Sequence, residues 1–264
     1  MHSVNEEGKR LRRLLNHKIL VAFIFWTFVA SAAYVTVRLV LAPVEAMPQG
    51  LDIRIKSDYV LMLLQCVLGI FAMLLPGFLQ HKVKINIPSG MIIAFAVFLY
   101  CAIYLGEVHN FYFRIPQWDT MLHAFSGAAL AAVGFSILGI LNRSESVPVS
   151  LSPVFISIFA FCFAVTLGAL WEIYEFAMDY FLGTNMQKFV LESGEQLVGQ
   201  VALFDTMKDM IVDSAGAFAM SAAGYVSIKK GRSWIYRLQL HAVRGESAAA
   251  DKLCEMESCV CDEI

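Results

Sequence analysis

Trp171-Glu172-Ile173-Tyr174-Glu175 closes the apolar run Pro153–Ala169. The run is long enough to read as a helix crossing a bilayer. Two carboxylates three residues apart stand at its end. Ionisable groups at such depth are rare and mark function. Two further segments carry acids that can meet them. One is Asp119-Thr120-Met121-Leu122-His123; the other is Asp205-Thr206-Met207-Lys208-Asp209, with Asp213 beyond.

The whole chain agrees with that reading. Of its 264 residues 58% are hydrophobic and 16% charged, where a soluble domain sits nearer a quarter charged. Mean hydropathy is +0.64. The fold class is all-α: a polytopic bundle of about six transmembrane helices. A net charge of -2 excludes a nucleic-acid partner held by charge. The expected partners are membrane lipids and a lipid-like substrate.

The expected spans lie near 19–42, 58–80, 87–106, 119–141, 153–178 and 205–228. Residues 1–18 form a basic N-terminus and 229–264 a polar tail. Ala30-Ser31-Ala32 has the small-residue look of a signal-peptide cleavage site. Apolar sequence continues well past it, so the first span is expected to be retained. Polar loops are expected at Pro43–Ser57 and Asn142–Ser152, an aromatic one at Glu107–Gln117 and the longest at Asp179–Phe204. Lys9, Arg10, Arg12, Arg13 and Lys18, the Lys82/Lys84 loop, and Lys229, Lys230, Arg232 and Arg237 hold most of the basic residues. The positive-inside rule then places both termini in the cytoplasm.

That topology sets Asp119, Glu172, Glu175 and Asp205 at the extracytoplasmic ends of spans four, five and six. Residues three or four apart share a helix face. Asp119 and His123 are therefore neighbours, and Asp205, Asp209 and Asp213 form one stripe. Asp213 lies about 12 Å below Asp205, where a lone charge costs about 2.5–3.5 kcal/mol. Several carboxylates around one imidazole demand protons, partners or a divalent cation. Oxygen ligands with an imidazole suit zinc, manganese or iron; carboxylates alone suit magnesium or calcium. Asp119, His123, Glu172, Glu175, Asp205, Asp209 and Asp213 are the expected metal ligands. Glu172, Asp209 and His123 are the expected catalytic groups. The plainer reading makes Asp119 and Asp205 helix N-caps, puts Glu175 and Asp179 at the interface facing water, and makes His123 a satisfied core residue. Asp119-Thr120-Met121 and Asp205-Thr206-Met207 also echo each other, with His123 matching Asp209, as a duplication would leave.

Cys66, Cys101 and Cys162 stand singly in apolar runs as small hydrophobes. Cys254, Cys259 and Cys261 cluster in the tail without a recognised ligand spacing.

Gly106-Glu107-Val108-His109-Asn110-Phe111-Tyr112-Phe113-Arg114-Ile115-Pro116 leads into Trp118-Asp119-Thr120-Met121-Leu122-His123. With Trp171–Glu175 and Asp205–Asp213, this resembles the bacterial YjdF-like integral membrane proteins, over roughly residues 60–230. The resemblance implies a home in the bacterial cytoplasmic membrane. The order of acids and histidine is more distantly similar to VanZ-type proteins, which are linked to glycopeptide resistance at the cell envelope; Asp213 stands where that pattern has an amide. Three functions follow: a metal or acid/base enzyme on an outer-leaflet lipid or envelope precursor, a proton- or cation-coupled transporter, or a non-catalytic membrane partner whose polar cluster orients helices.

Overall fold

The structure, a computed structural model, describes residues 2–43, 54–142, 151–191, 194–230 and 241–242. Most of the expected loops at 142–152 and 43–57, and the tail cysteines, lie outside these residues. Seven helices are described: α1 His2–Leu41, α2 Lys56–Phe78, α3 Ser89–Leu99, α4 Phe111–Arg114, α5 Trp118–Asn142, α6 Pro153–Leu182 and α7 Gln200–Lys229. Wide π-helical turns continue α2 over Leu79–Val83 and α3 over Tyr100–Val108. Six of these elements are long and apolar enough to cross a membrane. Phe71, Phe176 and Phe218 are each more than half exposed, as side chains facing lipid are. Strand β1, Ile85–Asn86, pairs antiparallel with β2, His241–Ala242, and ties the tail to the loop between spans two and three.

Several helices run beyond the expected spans. Ser152 caps α6, accepting from the Phe155 N–H at 3.2 Å, with Pro153 in the first turn. Proline fits there because its missing N–H has no partner to lose. Gly183, at φ 64°, ends the helix in the left-handed conformation. Gly199, at φ 66° and ψ -134°, starts α7 with a backbone that only glycine adopts readily. The long loop therefore shrinks to 183–199, and Asp205 stands in the second turn of α7 rather than at its cap. Asp119 is likewise inside α5, one residue past Trp118. The N-cap reading fails for both acids.

The expected aromatic loop is largely helical too. Side chains donate to carbonyls along this π-helical turn. Trp118 Nε1 donates to the Cys101 carbonyl at 3.3 Å, and Arg54 Nη1 donates to the Val108 carbonyl at 3.2 Å.

The spans pack as two groups of three. Ile24, Phe28, Cys66, Ala96 and Ile103 fill the first, made by α1, α2 and the third span. In the second, one alanine from each helix meets at the centre: Ala131 of α5, Ala164 of α6 and Ala217 of α7. Lipid tails are as apolar as any core, so small residues that permit close backbone contact are what hold such helices together. Contact is closest between α5 and α7. A Cβ on Gly127 would overlap the Asp213 carbonyl, and one on Gly216 the Ala124 carbonyl.

Gly127→Val should therefore destabilise the protein by about 2 kcal/mol or more, since overpacking alone costs roughly 1–3 kcal/mol. Gly77→Ala, with nothing within 4 Å of the added carbon, should be neutral or slightly stabilising. Thermal unfolding in detergent checks the pair; equal stability of both variants would contradict the packing.

Candidate functional site

α5 and α7 run side by side in the same direction, and their polar residues pair rung by rung. In the first rung Asp119 and Asp205 share Lys188. The Lys188 ammonium donates to Asp119 Oδ2 and lies 3.5 Å from Asp205 Oδ2. In the second, His123 Nε2 faces Asp209 Oδ2 at 3.9 Å and Asp119 Oδ1 at 3.7 Å. In the third, Asp213 accepts from His123 Nδ1 at 3.1 Å and from Ser126 Oγ at 2.7 Å. The two echoing sequence motifs thus occupy matching heights.

A carboxylate only accepts, so the bond to Asp213 places the histidine hydrogen on Nδ1. Nε2 is turned between Asp119 and Asp209, and it offers a lone pair to an ion there whenever it carries no hydrogen. One ligand atom from each of these three residues falls within 4.8 Å of the other two. An ion bound tetrahedrally at about 2.0–2.2 Å from each donor needs them about 3.3–3.6 Å apart. The gaps of 3.7 and 3.9 Å are a few tenths wider, within reach of small side-chain rotations. Two of the donors are also held from behind: His123 rests on Asp213 and Asp119 on Lys188. Lys208 Nζ stands 3.8 Å from Asp209 Oδ1, an oxygen that has no hydrogen-bond partner. Metal-binding residues characteristically carry such outer partners, which fix tautomer and orientation.

The seven residues expected from sequence are divided by the structure. Asp119, His123 and Asp209 converge. Asp213 and Asp205 stand behind them as partners of the imidazole and of the lysines. Glu172, on α6, is 4% exposed, and neither of its carboxylate oxygens has a hydrogen-bond partner. It feels the charges of His123, Asp209, Asp213 and Asp119. Gly168, one turn before it, makes room for Asp213: a Cβ there would sit 3.0 Å from Asp213 Oδ2. Glu175 instead accepts from Trp171 Nε1 at 2.9 Å. Asp179 does not face water; it is 8% exposed and fastens the following loop. It accepts from Thr184 Oγ1 and the Met186 N–H, each at 2.7 Å, and from the Gln187 N–H at 2.9 Å.

That loop delivers the residue that sequence reasoning passed over. Gln187 Nε2 donates to Thr206 Oγ1 at 2.8 Å, and Lys188 follows at φ 51°. Its ammonium also lies 5.2 Å over the Tyr112 ring, a favourable position for a cation. Gly106 leaves space for that ring, since a Cβ there would meet Tyr112 Cε2 at 2.5 Å. Burial alone would lower the Lys188 pKa, but Asp119 and Asp205 outweigh it and hold the ammonium above its ordinary value. Burial, then Asp119 and the neighbouring acids, push the Tyr112 phenol well up, so it stays neutral. The signal in the sequence was the charge imbalance: six acids near one end of three helices require a base from elsewhere.

Asp179→Ala removes three bonds to a charged acceptor, each worth about 1.5–3 kcal/mol. Hydrogen exchange should show amides 184–190 losing protection while α6 keeps its own. Unchanged protection in the loop would contradict its anchoring by Asp179.

Residues 18–230 match the model of a family described as "Predicted membrane protein (DUF2238)". An uncharacterised protein of Thermotoga maritima is 29% identical over 167 residues, covering 60% of this chain and 76% of that protein. The YjdF-like resemblance agrees with this family; nothing in it carries a link to VanZ-type proteins. No solved structure matches the chain significantly.

Proposed function

The chain belongs to the DUF2238 family of predicted membrane proteins, and from that premise we propose that it is a metal-dependent enzyme of the membrane surface. Asp119, His123 and Asp209 hold one divalent cation. The observation that carries this reading is the convergence of their three donor atoms, with the imidazole oriented by Asp213. The substrate is an outer-leaflet lipid or lipid-linked envelope precursor. A bound divalent ion lowers the pKa of its water. Glu172, buried and unpartnered beside the cluster, would be the base placed to take a proton from such a water. A buried charge left without any partner costs more than the 1–3 kcal/mol of a neutral group, so a water or substrate hydrogen is the natural occupant.

Sidedness follows from the basic residues. The β1–β2 pairing brings the tail to the Lys82/Lys84 loop, which supports placing both on one side of the membrane. The acid cluster lies at the opposite end of the bundle and, by the positive-inside rule, outside the cytoplasm. A cation pathway is the second reading, favoured by the buried, unpartnered Ser221 hydroxyl deeper in α7. Beyond Asp213 the described buried positions of that helix are Ala217, Ser221, Gly224 and Ser227. None is a carboxylate that could carry a relay onward, so the enzyme reading is preferred.

Elemental analysis of detergent-purified protein, after incubation with zinc, manganese or magnesium, should find about one ion per chain. His123→Ala and Asp209→Asn should abolish it, Asp213→Asn should weaken it by about 10–100-fold, and Glu172→Gln should retain it. Wild type without an ion, or His123→Ala with one, would overturn the proposal.

A further inference from the structure

The loop between α6 and α7 puts a positive charge beside the place where the cation is proposed to bind. Asp119 is shared: Oδ1 faces His123 Nε2, while Oδ2 accepts from Lys188. Asp205 holds the same ammonium at 3.5 Å and, through its other oxygen, Lys208 at 3.8 Å. Lys208 in turn lies 3.8 Å from Asp209 Oδ1. Two of the three proposed donors therefore already lean on an ammonium. A divalent ion entering among them meets like charge at close range, in a setting where solvent screens little.

We propose that Lys188 is a tethered counter-ion that competes with the divalent cation for Asp119, and that the 183–191 loop carries it to and from the site. The inference rests on the metal reading above and adds its regulation. Cation loading and loop seating oppose each other.

The loop is built to be seated. Asn185 closes it internally, donating to the Val190 carbonyl at 2.7 Å and accepting from the Val190 N–H at 3.0 Å. Asp179 pins its start, and Gln187 latches it to Thr206 on α7. Lys188 itself holds a left-handed backbone at φ 51°, which a non-glycine residue keeps only when its surroundings impose it. The surroundings here are Asp119, Asp205 and the face of Tyr112. Lifting this one residue removes a positive charge from the site and leaves the donors in place.

Two effects of Lys188 on cation binding have opposite signs. As an orienting partner of Asp119 it would favour binding, and its removal would weaken affinity by about 10–100-fold. As a nearby cation it opposes binding, and its removal would strengthen affinity. The second effect dominates because the ammonium shares its carboxylate with the incoming ion.

The test is a titration of Mn²⁺ into the full detergent-purified chain, with free Mn²⁺ read by electron paramagnetic resonance. Lys188→Met should bind at least tenfold more tightly than wild type. Lys188→Arg, which keeps the charge, should stay within about threefold of it. Thr206→Val leaves every charge in place and removes the latch, and should bind several-fold more tightly. Lys188→Met binding equally or more weakly would overturn the inference while the metal reading stands. If Lys188→Met does not fold, Thr206→Val decides: unchanged or weaker affinity overturns the inference. If no chain binds Mn²⁺, the metal reading falls and this inference with it.

Discussion

The backbones of α5 and α7 touch. Gly127 lies where any side chain would strike the Asp213 carbonyl, and Gly216 where it would strike that of Ala124. This contact brings Asp119 level with Asp205, His123 level with Asp209, and Ser126 level with Asp213. Helices held at ordinary side-chain separation would leave the imidazole and the carboxylates apart. Each would then face the membrane interior alone, at a cost of about 2.5–3.5 kcal/mol apiece at mid-depth. Packing and polar chemistry are one constraint here: glycine permits the approach, and the approach lets the polar groups satisfy one another.

The charges are matched in layers. Nearest the helix ends, Lys188 and Lys208 answer Asp119, Asp205 and one oxygen of Asp209. Below them His123 stands between Asp119, Asp209 and Asp213. Glu172 is left over, with both oxygens buried and free. A fold selected only for stability would have had little reason to keep it, because a well-packed apolar residue is often no worse than a satisfied buried charge. The third helix contributes Gly168, which admits the Asp213 carboxylate, and Glu172 one turn on.

Much of the fold could be read from the chain, because lipid imposes a simple rule: a long apolar run must be a helix that satisfies its own backbone. The helix ends could be read less well. Gly183 and Gly199 mark them through backbone conformation rather than hydropathy, so α6 reaches Leu182 and α7 begins at Gln200. Spacing by three and four residues put Asp119 with His123 and aligned Asp205, Asp209 and Asp213, since both relations lie within one helix. Relations between elements were out of reach. That Asp213 and Asp205 stand behind the convergent donors depends on how two helices meet. That Glu175 turns to Trp171 depends on a choice between neighbours. Lys188 arrives from a loop whose course is fixed by Asp179, and a lone lysine in a polar loop carries no local sign of its destination.

X-ray absorption at the zinc edge of the zinc-loaded protein reads the donor set itself. One imidazole nitrogen should appear among oxygen donors at about 2.0–2.2 Å, with the imidazole signal gone in His123→Ala. A shell made only of oxygens, or one containing sulfur, would contradict the proposed site.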